Sequence, residues 1–156
     1  MTALFIERGW SVLPLQAKSK IPATRLVPKG YLSASSDPEK IERWFADESL
    51  NLGIACIQSG LVVIDIDNGE MIPEATETYT VKTERGFHLY YLAKEGVTYA
   101  GKLRDGIDVK HKGYVVAPPS VHPSGSRYEL LNDMEPTPLP EAIASQIERG
   151  LNEWKH

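Results

Sequence analysis

The stretch Ser59-Gly-Leu-Val-Val-Ile-Asp-Ile-Asp67 decides how the rest of the chain is read. Leu61 to Ile64 is an apolar run rich in β-branched side chains, led in by Gly60, which is the pattern of a strand buried on both faces. Asp65 and Asp67 follow at i and i+2 with Ile66 between them. In an extended chain these two positions share a face, so both acids point one way while Ile66 anchors the other side. Two like charges at the end of an apolar strand repel each other unless a cation sits between them. Oxygen-only ligands suit a hard divalent ion, Mg²⁺ or Mn²⁺. Taken alone, Asp67-Asn68-Gly69 reads equally well as a turn with Asp65 its solvated neighbour.

Working outward, Asn51 to Gln58 reads as a strand, and Ser59-Gly60 predicts a hairpin between it and the Asp65/Asp67 strand. Thr78 to Thr83 and Phe87 to Leu92 read as two strands joined by the turn Glu84-Arg85-Gly86. Leu103 to Val109 and Gly113 to Ala117 are further short strands around Lys110-His111-Lys112, and Pro118-Pro119 stops the sheet. Ser120 to Gly125 is a turn, and Arg127 to Leu131 is a last short strand. Upstream, residues 2 to 9 predict a short helix closed by Gly9, and Ser11 to Leu15 an edge strand marked by Pro14. Gln16 to Ser36 is a long connection punctuated by Pro and Gly, of the kind that usually carries function. Ser36 or Asp37 caps a helix with Pro38 in its first turn and Ile41, Trp44 and Phe45 on one apolar face. After the Pro136-to-Pro140 spacer, residues 140 to 153 predict an amphipathic helix with Ile143, Ile147 and Leu151 in line. The sum is one mixed α/β (α+β) domain over residues 1–156, with a largely antiparallel sheet and helices at its sides.

The whole chain has 156 residues, 42% hydrophobic and 24% charged, the composition of an ordinary globular protein with a real core. No apolar run reaches membrane-spanning length and the N-terminus does not open a signal peptide, so a cytoplasmic location is expected. The lone Cys56 excludes an intrachain disulfide and a cysteine zinc cluster, and its apolar neighbours mark it as a buried structural thiol. A net charge of −4 argues against a general nucleic-acid binder. Yet residues 18 to 29 hold Lys18, Lys20, Arg25 and Lys29 without an acid, and Lys102, Arg104, Lys110 and Lys112 cluster downstream, so a basic cleft on an acidic body is possible.

Four polar residues sit on or beside apolar strands: Asp65, Asp67, His88 and Asp108. Three carboxylates from two strands are the usual material of a two-metal phosphoryl-transfer site. His88 is structural, or it faces a cleft; the Arg85-Gly86 before it favours the cleft, since arginine suits phosphate and glycine lets a ligand approach the backbone. Asp108 pairs either with a metal or with Lys110, two residues along the same strand face. Lys110 can face phosphates, and Ser120 and His122, just past a strand, lie where ligand contacts tend to gather.

With these residues assembled, the chain resembles the N-terminal prim-pol domain of bifunctional DNA primase/polymerases, in the archaeo-eukaryotic primase superfamily. The likeness is carried in order by Gly9-Trp10 through Leu15, Lys20-Ile-Pro22, Asn51 to Ile54, Gly60 to Asp67, Thr83 with Gly86 to Tyr90, Gly106 to Lys110, Gly113 to Gly125, and Tyr128. The resemblance implies an RRM-like, largely antiparallel catalytic sheet joined to an N-terminal α/β unit. It implies Asp65, Asp67 and Asp108 as ligands of two Mg²⁺ or Mn²⁺ ions, and the motif Gly86-Phe87-His88 with His88 at the incoming nucleotide's phosphates, beside which the residue reading sets Arg85. Lys110, Ser120 and His122 carry over as further nucleotide contacts. The implied activity is nucleotidyl transfer from a dNTP or NTP on a single-stranded DNA template with its primer, in the replication of a phage, plasmid or mobile element. A replicative helicase is expected in trans or on a further C-terminal region. The chain departs from its relatives in two loops: Glu84-Arg85-Gly86 is less glycine-rich, and Val109 to Gly113 is about one residue shorter. The same residues also leave open a metal-dependent nuclease or phosphohydrolase, or a non-catalytic nucleotide- or template-binding module of a replication initiator.

Overall fold

The structure, a computed structural model, describes residues 3–151. Helix α1 (Ala3–Arg8) leads into strand β1 (Val12–Leu15), and α2 (Pro38–Trp44) precedes β2 (Asn51–Ala55) and β3 (Leu61–Ile66). Strands β4 (Tyr79–Lys82), β5 (Phe87–Leu92), β6 (Val97–Tyr99), β7 (Lys102–Arg104), β8 (Ile107–Lys110) and β9 (Tyr114–Ala117) follow. The chain continues with β10 (Glu129–Asn132), β11 (Thr137–Pro138), α3 (Glu141–Ile147) and β12 (Glu148–Leu151). Among the described residues no helix is long and apolar enough to cross a membrane.

Two sheets do most of the work. The smaller has the order β1-β2-β9, and the larger runs β10-β4-β5-β3-β8-β7, every neighbour antiparallel. Strand β11 adds in parallel to the end of β5, beyond the reach of β4. The mixed, mostly antiparallel α+β class read from the sequence is therefore the observed one.

Side-chain alternation divides β3 between two cores. Leu61 and Val63 face the smaller sheet, packing with Val12, Leu13, Leu52, Ile54, Val116, Tyr90 and Ile41 of α2. Val62, Ile64 and Ile66 face the opposite way, against Leu89, Tyr91, Ile107, Val109 and the α3 residues Ile143 and Ile147. Burial on both faces explains the unbroken apolar run. Asp37 caps α2, its carboxylate accepting from the Glu39 N–H at 3.2 Å. The connection from Gln16 to Ser36 returns along the free edge of β1, bridging Pro22 to Leu15 and Ser35 to Val12, which covers an otherwise open edge.

Three expectations are corrected. Strands β2 and β3 form no hairpin. A 3₁₀ turn over Ile57–Ser59 and Gly60 at φ 71° sends the chain from the smaller sheet into the larger. Both edges of β3 are then filled, by β5 and β8. The segment read as one strand from Leu103 to Val109 is the hairpin β7–β8, turning at Asp105-Gly106, and the following strand β9 belongs to the other sheet. The C-terminal helix is α3 alone. At Glu148 the backbone straightens and pairs with β6, a strand the sequence reading did not include. Gly150 disfavours helix, and the edge of β6 offers hydrogen bonds in its place. Residues 152–153 of the expected helix lie outside the described residues.

Candidate active site

Asp65 lies in the middle of a row of polar side chains crossing three adjacent strands. It stands directly opposite His88 of β5 on one side and Asp108 of β8 on the other. Such cross-strand partners bring their Cβ atoms within about 5 Å of each other on one face. The row lies on the face of the larger sheet that carries Leu61, Val63 and Tyr90 toward the smaller sheet, where the apolar packing gives way to a cleft. Lys110, opposite Val63, occupies the same face two residues beyond Asp108.

The cleft has a polar lobe of about 200 Å³, which includes Asp65, Asp67, Asp108, His88, Arg85 and Lys110. A second lobe of about 360 Å³ shares Lys20, Asp65, His88, Lys110 and Tyr128 and adds Tyr31, Lys112, Tyr114 and Val116. The structure thus brings together eight of the nine residues singled out from the sequence, since Gly86 and His122 also belong to this region. Ser120 does not join them. It is buried, its hydroxyl accepting from the Leu52 N–H at 2.8 Å, so it stitches the loop after β9 to the start of β2.

The electrostatics around Asp65 oppose one another. Burial acts to raise its carboxyl, but the His88 hydrogen bond and charge, with Lys110 and Lys20 nearby, outweigh it and hold the group below its ordinary value. His88 Nε2 lies 3.4 Å from Asp65 Oδ1. Its Nδ1 is buried with no hydrogen-bond partner among the described residues, at a cost of about 1–3 kcal/mol. No ion pair joins Asp108 to Lys110 among the described residues.

Asp67 follows the end of β3, its N–H donating to the Gly106 carbonyl at 2.8 Å, and its carboxylate meets Arg85 at 3.3 Å. Gly86 serves a different purpose from the ligand approach read for it. A Cβ there would sit 1.8 Å from the Ile66 carbonyl oxygen, so the bare backbone is what lets β5 start against the end of β3. Glu84 of the same turn binds Ser124, whose backbone N–H donates to His122 Nδ1 at 3.0 Å. This links the β4–β5 turn to the loop after β9, across the cleft mouth. Hydrogen bonds from Ser124 and Ser126 outweigh the modest effect of desolvation and lower the Glu84 carboxyl.

Among the described residues no three His, Cys, Asp or Glu side chains are grouped so that they could hold a metal ion; Asp65 and Asp108 share a face, and their oxygens are the ligand type a hard divalent cation takes. Four residues that line the polar lobe were missing from the sequence-derived site: Lys20, Thr83, Glu84 and Tyr128. Lys20 had a signal in the acid-free basic run from Lys18 to Lys29. Cys56, by contrast, is fully buried, and desolvation pushes its thiol up to about 12, which leaves it chemically quiet.

Fold and site together define an α+β domain whose larger antiparallel sheet presents acids and a histidine to a lysine-rimmed cleft. The chain belongs to the Prim-Pol family, the N-terminal domain of bifunctional DNA primase/polymerases, whose family model matches residues 3–142. Comparison with curated proteins finds no match.

Proposed function

We propose that this protein catalyses template-directed nucleotidyl transfer, with Asp65, Asp67 and Asp108 holding one or two divalent cations and His88 contacting the incoming nucleotide's phosphates. The observation that carries this reading is the row His88–Asp65–Asp108, one residue from each of three adjacent strands, on the face that opens into the cleft. Family membership supports DNA and nucleoside triphosphates as the substrates.

Each side chain has a derivable task. Asp65 is kept ionised by His88, Lys110 and Lys20 despite its burial, so it is ready to ligate without first losing a proton. Asp108, opposite it on the same face, supplies a second carboxylate. Mg²⁺ or Mn²⁺ bound there would polarise the reacting phosphate and lower the pKa of the attacking 3′-hydroxyl. His88 lines the cleft beside Asp65, its Nε2 3.4 Å from Asp65 Oδ1, and Lys20 and Lys110 balance the triphosphate charge. The polar lobe suits phosphates and cations, whereas the lobe beside Tyr31, Tyr114 and Val116 suits a nucleoside.

The test is extension of a labelled primer, beside unprimed synthesis on single-stranded DNA, with Mg²⁺ or Mn²⁺ and dNTPs or NTPs. Asp65→Ala should abolish product while thermal unfolding stays cooperative. Synthesis retained by the variant removes the acid assignment, and strands shortened rather than lengthened make the protein a nuclease.

A further inference from the structure

Arg85 lies in the turn between β4 and β5, and its partner is an acid of the site. Its guanidinium lies 3.3 Å from Asp67 Oδ2, and the two side chains are 72% and 49% exposed. Charge-assisted N–H···O bonds prefer about 2.7–2.9 Å, so the pair is long, single and screened. Neither side chain has another polar partner among the described hydrogen bonds and ion pairs. The backbone beneath it is fixed. Thr83 N–H donates to the Gly86 carbonyl at 3.0 Å, and Gly86 N–H donates to Thr83 Oγ1 at 3.1 Å. Gly86 is locked against Ile66, and Glu84 is engaged by Ser124. The turn is therefore a hydrogen-bonded mount for one long, exposed cation.

We propose that Arg85 is an exchangeable counter-ion: it neutralises Asp67 in the metal-free protein, yields that carboxylate to the divalent cation, and transfers to a phosphate oxygen of the nucleoside triphosphate. This rests on the reading of Asp65, Asp67 and Asp108 as cation ligands. A divalent ion outcompetes a single distant guanidinium for a carboxylate. The fork of the freed guanidinium then matches a phosphate better than it matched one carboxylate oxygen. Each ligand removes the obstacle to the other, so cation and nucleotide bind with positive coupling through this side chain.

The experiment measures Mn²⁺ binding to the intact chain by the paramagnetic resonance of free Mn²⁺, with and without a non-hydrolysable deoxyadenosine triphosphate analogue. Wild type is compared with Arg85→Gln, Arg85→Lys and Asp65→Asn. Arg85→Gln should bind Mn²⁺ alone roughly two- to fivefold more tightly, the scale of one exposed ion pair, and should lose most of the enhancement produced by the nucleotide. Arg85→Lys should keep near-wild-type affinity for the ion alone and part of the enhancement. Unchanged or weaker Mn²⁺ binding by Arg85→Gln, with Asp65→Asn impaired, overturns the exchange and leaves the acid site standing. No Mn²⁺ binding by wild type, or undiminished binding by Asp65→Asn, overturns both.

Discussion

Replacing Gly86 with alanine tests whether the turn before His88 is shaped by strand packing. The new Cβ would lie 1.8 Å from the Ile66 carbonyl oxygen and 2.8 Å from its carbon, both backbone atoms of the central strand. Ordinary carbon–oxygen contacts stop near about 3.3 Å, so β5 must retreat from β3 by roughly 1.5 Å at its first residue. No side-chain rotation can supply that movement. The retreat strains the Phe87–Ile66 register and weakens one or two ladder hydrogen bonds, worth about 0.5–1.5 kcal/mol each. Overpacking adds about 1–3 kcal/mol, for a total of roughly 1.5–6 kcal/mol. In a chain of this length each kcal/mol lowers Tm by about 2–4 °C, so Gly86→Ala should melt roughly 3–24 °C below wild type by circular dichroism. His88 and Arg85 move with the strand, so the melting change should come with weakened Mn²⁺ and nucleotide binding. A variant melting within about 2 °C of wild type would refute the packing argument, whatever its activity.

Asp65 makes stability depend on acid pH. Its carboxyl is held below the ordinary value of 3.8, so the folded protein binds fewer protons there than the unfolded chain does, and stability rises with pH. The contribution is complete above the ordinary value and fades as pH falls from there through the folded-state value. Wild type should thus lose more Tm than Asp65→Asn between about pH 5 and pH 3, and parallel losses in the two proteins would remove the effect. Ser120→Ala leaves the buried Leu52 N–H without its acceptor and should cost about 1–3 kcal/mol in urea unfolding. Its nucleotide affinity below the melting range should stay unchanged; a selective loss of affinity would restore Ser120 as a ligand contact.

Much of the site was legible because it follows from strand geometry. The i and i+2 spacing of Asp65 and Asp67, and of Asp108 and Lys110, reports a shared face wherever the chain is extended. What periodicity cannot report is which strand lies beside which. Asp65, His88 and Asp108 are 23 and 20 residues apart in sequence, and only the registers β3–β5 and β3–β8 put them in one row. The same blindness produced the false hairpin. A turn signal at Ser59-Gly60 is local, whereas the choice of sheet depends on edges supplied by residues 87–92 and 107–110. Ser120 shows the converse: a polar residue past a strand end reads as a ligand contact until the backbone N–H it satisfies is in view.

By itself the sequence determined the local alternation, the doubly buried strand, the capped helix at Asp37, the mixed α/β class and the family to which the chain belongs, because each is written in short-range pattern or in ordered blocks of motif. Only the tertiary structure decided that two sheets rather than one enclose the cleft, that Lys20 and Tyr128 complete it, and that Arg85 rests on Asp67. Those facts depend on long-range pairing and on electrostatic neighbours distant in sequence. Such contacts form only when buried apolar faces bring remote segments together.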